Sequence, residues 1–249
     1  MRKMLFGGAL MCAGLPAVAQ VSGVALEFEG LTPEDNFVFN AATGEFDSIG
    51  NESFSAAGGV ELLPYAGRLD WGIPLNDPPY SYLQGQGYAE VSATGSLSGG
   101  ELWFSANART VTEFTSSTPG DAPASTIIGS VTFTLGADSP VSLVGEYSGI
   151  SGVGSGFVSV VLAAVGSGSP EFEAGGGTGR LTETFEFDAV LPAGEYELVY
   201  SSIANLSESQ IERAALEFDL VVVPAPPAFG MLALGGVVAA RRRHRSCSP

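Results

Sequence analysis

The stretch that decides the fold is Leu181 to Tyr200, "LTETFEFDAVLPAGEYELVY". Its residues alternate in character. Leu181, Phe185, Phe187 and Ala189 share one face, while Thr182, Thr184, Glu186 and Asp188 share the other. After the turn signal "LPAGEY" (191–196) the alternation resumes, with Tyr196, Leu198 and Tyr200 set against Glu195, Glu197 and Val199. A period of two places alternate side chains on opposite sides of a strand, so this pattern describes a sheet with one wet and one dry face.

The same pattern spreads outward from this segment. Val131, Phe133 and Leu135 alternate with threonines, and Leu216, Phe218, Leu220 and Val222 alternate with Glu217, Asp219 and Val221. Turn signals such as "GADSP" (136–140) and "SLSGGE" (96–101) separate the runs. Roughly a dozen short strands with polar outer faces predict an all-β fold, a single antiparallel β-sandwich of jelly-roll-like form. "SESQIERAA" (207–215) is the one stretch that reads as a loop or a short helical turn. "TSSTPGDAPAST" (115–126) reads as a long surface loop within one sandwich rather than a linker between two. "ALEFEG" (25–30) and "ALEFDL" (215–220) nearly repeat. Either this is a coincidence of a common strand pattern or the first and last strands lie side by side in one sheet. The second reading is the expectation carried forward.

The ends of the chain are of another kind. Arg2 and Lys3, an apolar stretch from Leu5 to Leu15 and the small-x-small site Ala17-Val18-Ala19 occur in the order of a secretory signal peptide, cut so that Gln20 leads the mature chain. Signal peptidase is therefore an expected partner. A lipoprotein reading through Cys12 is disfavoured because Met11, a large residue, precedes it. At the other end, Pro224-Ala225-Pro226-Pro227 interrupts strand pairing, because proline has no N–H to donate. Ala228 to Ala240 is apolar and uncharged, and Arg241, Arg242, Arg243 and Arg245 follow it. Thirteen helical residues reach about 20 Å, against a hydrocarbon core of about 30 Å, so the span is short for a permanent anchor. The arginines would hold the C-terminus in the cytoplasm and leave the body outside.

This order of parts resembles the PEP-CTERM sorting signal of bacterial surface proteins. Val223-Pro224-Ala225-Pro226 matches the motif, "AFGMLALGGVVAA" the short helix and "RRRHR" the basic cluster, over about the last 25 residues. Ala225 stands where the family usually has glutamate, as in its Pro-Ala-Pro variants. The resemblance implies an exosortase-like membrane protease as a partner, transient anchoring through the C-terminal helix, and delivery to the cell surface or extracellular matrix. The alternative is a plain single-pass anchor. The later half of the body is also loosely similar to the domains found ahead of such tails, which implies a sandwich and no activity. The expected organisation is thus a signal peptide (1–19), an extracellular β-sandwich (20–222) and a sorting or anchor segment (223–249).

Composition limits what the body can do. Four basic residues (Arg68, Arg109, Arg180 and Arg213) against all 27 acidic ones leave it at −23, more negative than the −17 of the whole chain. Such a surface excludes nucleic acid as a partner. The body has no cysteine, and hence no disulfide framework. It also has no histidine or lysine, since His244 lies in the tail. Ser-His-Asp triads, Cys-His dyads, His/Cys zinc sites and Schiff bases are excluded by residue type. "GVGSG" (152–156) and "GGGTG" (175–179) lack the Walker lysine and read as loops.

Carboxylates are plentiful, but no pair is singled out, and the acids fall at outward strand positions. The chain is therefore expected to be no enzyme and to need no cofactor. A hydrolase using two carboxylates is the third-ranked reading. Calcium on loops such as "PEDN" (33–36) and "NDPP" (76–79) is left open. Trp71, Tyr80, Tyr82 and Tyr88 surround a proline-rich stretch. They either cap the core or form a platform for stacking sugar rings. Two functions follow: an exported structural or binding surface protein, or a carbohydrate-binding module for extracellular polysaccharide.

Overall fold

The computed structural model describes residues 20–31, 36–40, 43, 45–49, 53–72, 85–114, 124–150, 156–177, 182–205 and 211–224. The expected signal peptide, the chain from Ala225 onward and the loops holding the two calcium readings lie outside these residues, apart from Asn36. Among the described residues no helix is long and apolar enough to cross a membrane.

Two six-stranded antiparallel sheets pack face to face. The first orders β11 (Phe172–Gly177), β10 (Phe157–Ala164), β13 (Gly194–Asn205), β8 (Ala124–Leu135), β1 (Val21–Leu31) and β4 (Ser53–Gly58). The second orders β12 (Thr182–Leu191), β9 (Ser139–Ile150), β14 (Ile211–Val222), β7 (Glu101–Phe114), β6 (Gly85–Ser98) and β5 (Tyr65–Gly72). A small hairpin, β2 (Asn36–Asn40) with β3 (Glu45–Ile49), stands apart, and a single 3-10 turn occupies Val60–Leu62. The chain crosses from sheet to sheet at β4–β5, β7–β8, β8–β9, β9–β10, β11–β12, β12–β13 and β13–β14, as a jelly-roll-like sandwich requires. Strands from both sides of residues 115–123 share both sheets: β1 pairs with β8, and β7 with β14.

Alternation in the sequence becomes burial. In β14 every second residue from Ala214 to Val222 is buried, and in β13 Tyr196, Leu198 and Tyr200 point inward. Phe104 and Phe218 approach across β7 and β14 at 6.0 Å, and Tyr200 of the facing sheet meets Phe218 edge-on at 5.0 Å. Glycine is required at 129, where β8 passes directly opposite Tyr200 and any Cβ would run into that ring.

Four sequence expectations change. The near-repeated "ALEF" strands do not lie side by side. β1 sits in the first sheet between β8 and β4, and β14 in the second between β9 and β7. Leu26 and Phe28 in one layer and Leu216 and Phe218 in the other belong to one core, with Phe28 stacked on Tyr65 of β5 at 4.6 Å. Alternation specifies which face is inward, not which sheet is joined. Second, residues 211–215 of the supposed helical turn are strand, because Glu212 and Ala214 continue the buried register of Leu216. Third, β8 takes residues 124–126 of the supposed loop. Fourth, Gly175 to Gly177 end strand β11 rather than forming a loop. Gly175, at φ +145, lies against the Val158 carbonyl, an approach that only a residue without a Cβ makes.

The two ends of the sandwich differ. At one, Gly99-Gly100, the 136–138 bend and the Pro192-Ala193 link make short turns. The ends of the body meet there. The Gly136 N–H donates to the Gln20 carbonyl at 3.3 Å, and the Val223 N–H to the Pro140 carbonyl at 3.0 Å. At the other, β5, β7, β9 and β13 end and β6, β8, β10 and β14 begin.

Candidate functional site

The outward face of the second sheet carries the site. Cross-strand register sets Arg68 of β5 beside Glu90 of β6, Glu90 beside Arg109 of β7, and Arg109 beside Ala215 of β14. The next row toward the end opposite the short turns runs Asp70, Tyr88, Val111, Arg213. Arg68, Arg109 and Arg213, three of the body's four basic residues, therefore meet at one end of one face. They come from strands far apart in sequence.

Arg68 is consumed by its neighbours. Its Nη2 donates to Asp70 Oδ1 at 2.6 Å, its Nε to Asp70 Oδ2 at 2.9 Å, and its Nη1 to Glu90 Oε2 at 3.0 Å. The hydrogen bonds from Arg68 hold the Asp70 carboxyl below its usual range, and Asp70 in turn raises the guanidinium. The guanidinium carbon lies 4.3 Å from the centre of the Tyr88 ring, fixing that ring by a cation–π contact. Among the described residues neither Arg109 nor Arg213 makes an ion pair.

These two arginines, Tyr88, Val111, Ser148 and Thr182 line an open groove of about 530 Å³, with the chain at Thr110, Gly149, Ala214 and Ala215 completing it. Among the described residues no acidic side chain lines it. The carboxylates nearest in register are Glu90, which binds Arg68, Glu217, which accepts from Asn107 Nδ2 at 3.1 Å, and Glu113, diagonal to Arg213. Trp103, 41% exposed, lies on the same face eight residues along β7 from Val111, about 27 Å at 3.3–3.4 Å per residue. Small polar residues of β6 and β7 (Ser92, Thr94, Ser105 and Asn107) occupy the face between them.

Behind the groove the core turns polar. The Thr110 and Ser202 hydroxyls lie 3.0 Å apart, Thr112 Oγ1 donates to the Ala204 carbonyl at 3.0 Å, and Ser202 Oγ to the Ala214 carbonyl at 3.1 Å. Glu212, 0% exposed, accepts the Gly156 N–H at 2.6 Å. These bonds pair the hydroxyls and the Oε1 of Glu212, groups that are costly to bury alone. Among the described residues no three metal-ligating side chains come together.

Of the four aromatic residues expected to matter, Tyr88 lines the groove. Trp71 falls in β5 paired with Gly87, and its side chain, like Tyr80 and Tyr82, lies outside the described residues. Arg109 and Arg213 were legible only as charges. Their rarity was the available signal, and their convergence depends on strand pairing. Glu212 departs from the expectation of outward acids. It sits inward because it keeps the register of Ala214 and Leu216. Of the sorting segment, Val223 and Pro224 are described and lie just past the end of β14. Ala17, Ala19, Ala225, Pro226 and the arginines from Arg241 to Arg245 lie outside.

No protein-family model matches the chain, and no curated protein matches it. Among solved structures it is similar to TmCBM61, solved in complex with β-1,4-galactotriose, at 10% identity and a TM-score of 0.30, over 52% of this chain and 86% of that one. A CBM4 structure follows at 13% identity and 0.26, over 55% and 78%. A family 29 carbohydrate-binding module stands at 13% and 0.21, over 63% and 89%. Similarity this weak has no functional weight by itself.

Proposed function

We propose that this chain is an exported surface protein whose sandwich is a non-catalytic glycan-binding module, with the groove on the second sheet as its site. The observation that carries the reading is the groove's composition. In a body of −23 its described residues include a clamped tyrosine ring, two arginines without ion pairs among those residues and the hydroxyl residues Ser148 and Thr182, with no acid among them. A flat aromatic ring suits the apolar face of a sugar, while guanidinium and hydroxyl groups suit its oxygens. The test is a glycan array probed with the protein recovered from the cell surface, with Tyr88→Ala in parallel. Binding that Tyr88→Ala abolishes supports the site; an array silent for both proteins removes the reading.

The delivery route belongs to the same proposal. A signal peptide would export the chain, and the tail would hold the body at the membrane until an exosortase-like protease released it. One geometric fact favours this. Gln20 and Val223 meet at the short-turn end, so a tail leaving there turns the groove end away from the membrane. Intact mass of the native protein tests it. Loss of everything from about Pro224 supports a processed sorting signal, and a mass running to Pro249 in the membrane fraction supports a plain anchor.

A further inference from the structure

The groove's charge points to a narrower ligand class. Arg213 pairs with Val111 while Arg109 pairs with Ala215, so the two arginines are diagonal neighbours on one face, at the roughly 7–8 Å typical of that relation. Like charges so placed repel. Carboxylates stand nearby in register, Glu90 opposite Arg109, Glu217 diagonal to Arg109 and Glu113 diagonal to Arg213, yet among the described residues neither arginine forms an ion pair with them. The described residues of the groove lining hold no acid, Glu90 is bound by Arg68, and Glu217 takes the Asn107 amide. The third arginine is spent on Asp70, Glu90 and the Tyr88 ring. Two guanidinium groups are left facing solvent, both exposed, beside a fixed ring.

We infer that the groove takes an acidic polysaccharide, Arg109 and Arg213 gripping the anionic groups of its sugar units while Tyr88 stacks on a ring. This deepens the glycan-binding reading and rests on it. Arginine's planar fork binds carboxylate and sulfate oxygens in pairs, which a point charge does less well. The surrounding −23 has a consequence of its own. Long-range repulsion slows a polyanion's approach, and added salt screens that repulsion as it screens the grip. The local arginine contacts must therefore outweigh the body's field, and the affinity should depend on them steeply. An acidic segment of another protein would satisfy the charges but offers no ring to Tyr88.

The test titrates the full-length protein, calorimetrically, with polygalacturonate, alginate, hyaluronan and dextran sulfate, against methyl-esterified polygalacturonate, dextran and polyglutamate. The parent protein should bind at least one acidic polymer at least tenfold more tightly than the neutral polymers. Arg109→Gln and Arg213→Gln should each lose about tenfold, the energy of one charge-assisted contact, and the double variant nearly all binding. Arg109→Lys and Arg213→Lys should keep part of it. Both positions are exposed, so melting temperatures should not move, which separates lost contacts from lost fold. Whether dextran sulfate or the carboxylate polymers bind tells which anion is read.

Neutral polymers bound as tightly as acidic ones, with the glutamine variants unimpaired, would overturn the acidic ligand and leave the glycan reading standing. Acidic binding that ignores both arginines would overturn the site. Polyglutamate bound as tightly as the polysaccharides, with Tyr88→Ala harmless, would overturn the glycan reading itself, as would no binding to any polymer.

Discussion

The two ends of the sandwich are built on different principles. At the short-turn end the space between the sheets is filled by Leu102, Phe104, Phe133, Leu135, Leu143 and Leu220, each at most 2% exposed. At the other end the same strands bring Thr110, Thr112, Ser125, Ser202 and Glu212 into the interior, all fully buried, with Thr110 bonded to Ser202, Thr112 to Ser125 and the Ala204 carbonyl, and Glu212 to the Gly156 N–H. Apolar burial stabilises in proportion to area, whereas a buried hydrogen bond contributes only about 1 kcal/mol net and fixes geometry instead. The difference teaches that stability resides at the end where the body's own ends meet, while the groove end is positioned by a directional network. A site that must hold side chains in place gains more from the second kind of interior.

The contrast can be broken first at the apolar end. Phe104→Ala should cost about 3–5 kcal/mol by removing a buried ring that nothing nearby can replace, read by urea denaturation; a cost under about 1 kcal/mol would mean that the stability lies elsewhere. At the polar end, Thr112→Val should cost about 1–3 kcal/mol, because the Ala204 carbonyl and Ser125 lose a partner. Removing Thr110 and Ser202 hydroxyls together (Thr110→Val with Ser202→Ala) should cost less than the sum of the two single changes. Additive costs would show that these residues do not act as a network.

Between the ends, Tyr200 sharpens the comparison. Its hydroxyl is buried with no hydrogen-bond partner among the described residues, and burial pushes its pKa above the ordinary 10.0. Tyr200→Phe should therefore gain about 1 kcal/mol, since an unsatisfied hydroxyl leaves a desolvated site. A phenol whose folded pKa is raised contributes stability in full below the unfolded value and loses it as pH rises toward the folded one. The parent protein should thus weaken above about pH 10, and Tyr200→Phe should flatten that limb of a pH–stability curve. The smallest effect belongs to the groove surface. Arg68→Gln should change stability by no more than about 0.5 kcal/mol despite its hydrogen bonds to Asp70 and Glu90, because exposed ion pairs contribute little. A larger loss would mean that the groove also holds the fold together.

Much of this fold could be read from the chain, though unevenly. Inward positions such as Phe133, Leu198 and Phe218 were legible because the side-chain period of a strand is local and their neighbours are polar. The polar end of the core was half legible: Thr110 and Thr112 continue the inward register of Phe104, Ala106 and Ala108, yet threonine reads equally well as a surface residue. Glu212 was missed for the same reason, since its burial depends on the Gly156 N–H, 56 residues away in the chain. The groove was legible only through Tyr88.

The sequence by itself determined the fold class, the alternating faces, the absence of histidine, lysine and cysteine chemistry from the body, and the scarcity of its positive charge. Only the tertiary structure decided that "ALEF" strands of the same pattern enter opposite sheets, that Arg109 and Arg213 become neighbours while Arg68 is spent on acids, and that Gln20 and Val223 share one end. The physical reason is range. Periodicity and composition act over a few residues, whereas strand partners and register are chosen by the packing of two complete layers, in which residues about a hundred positions apart in the chain become neighbours.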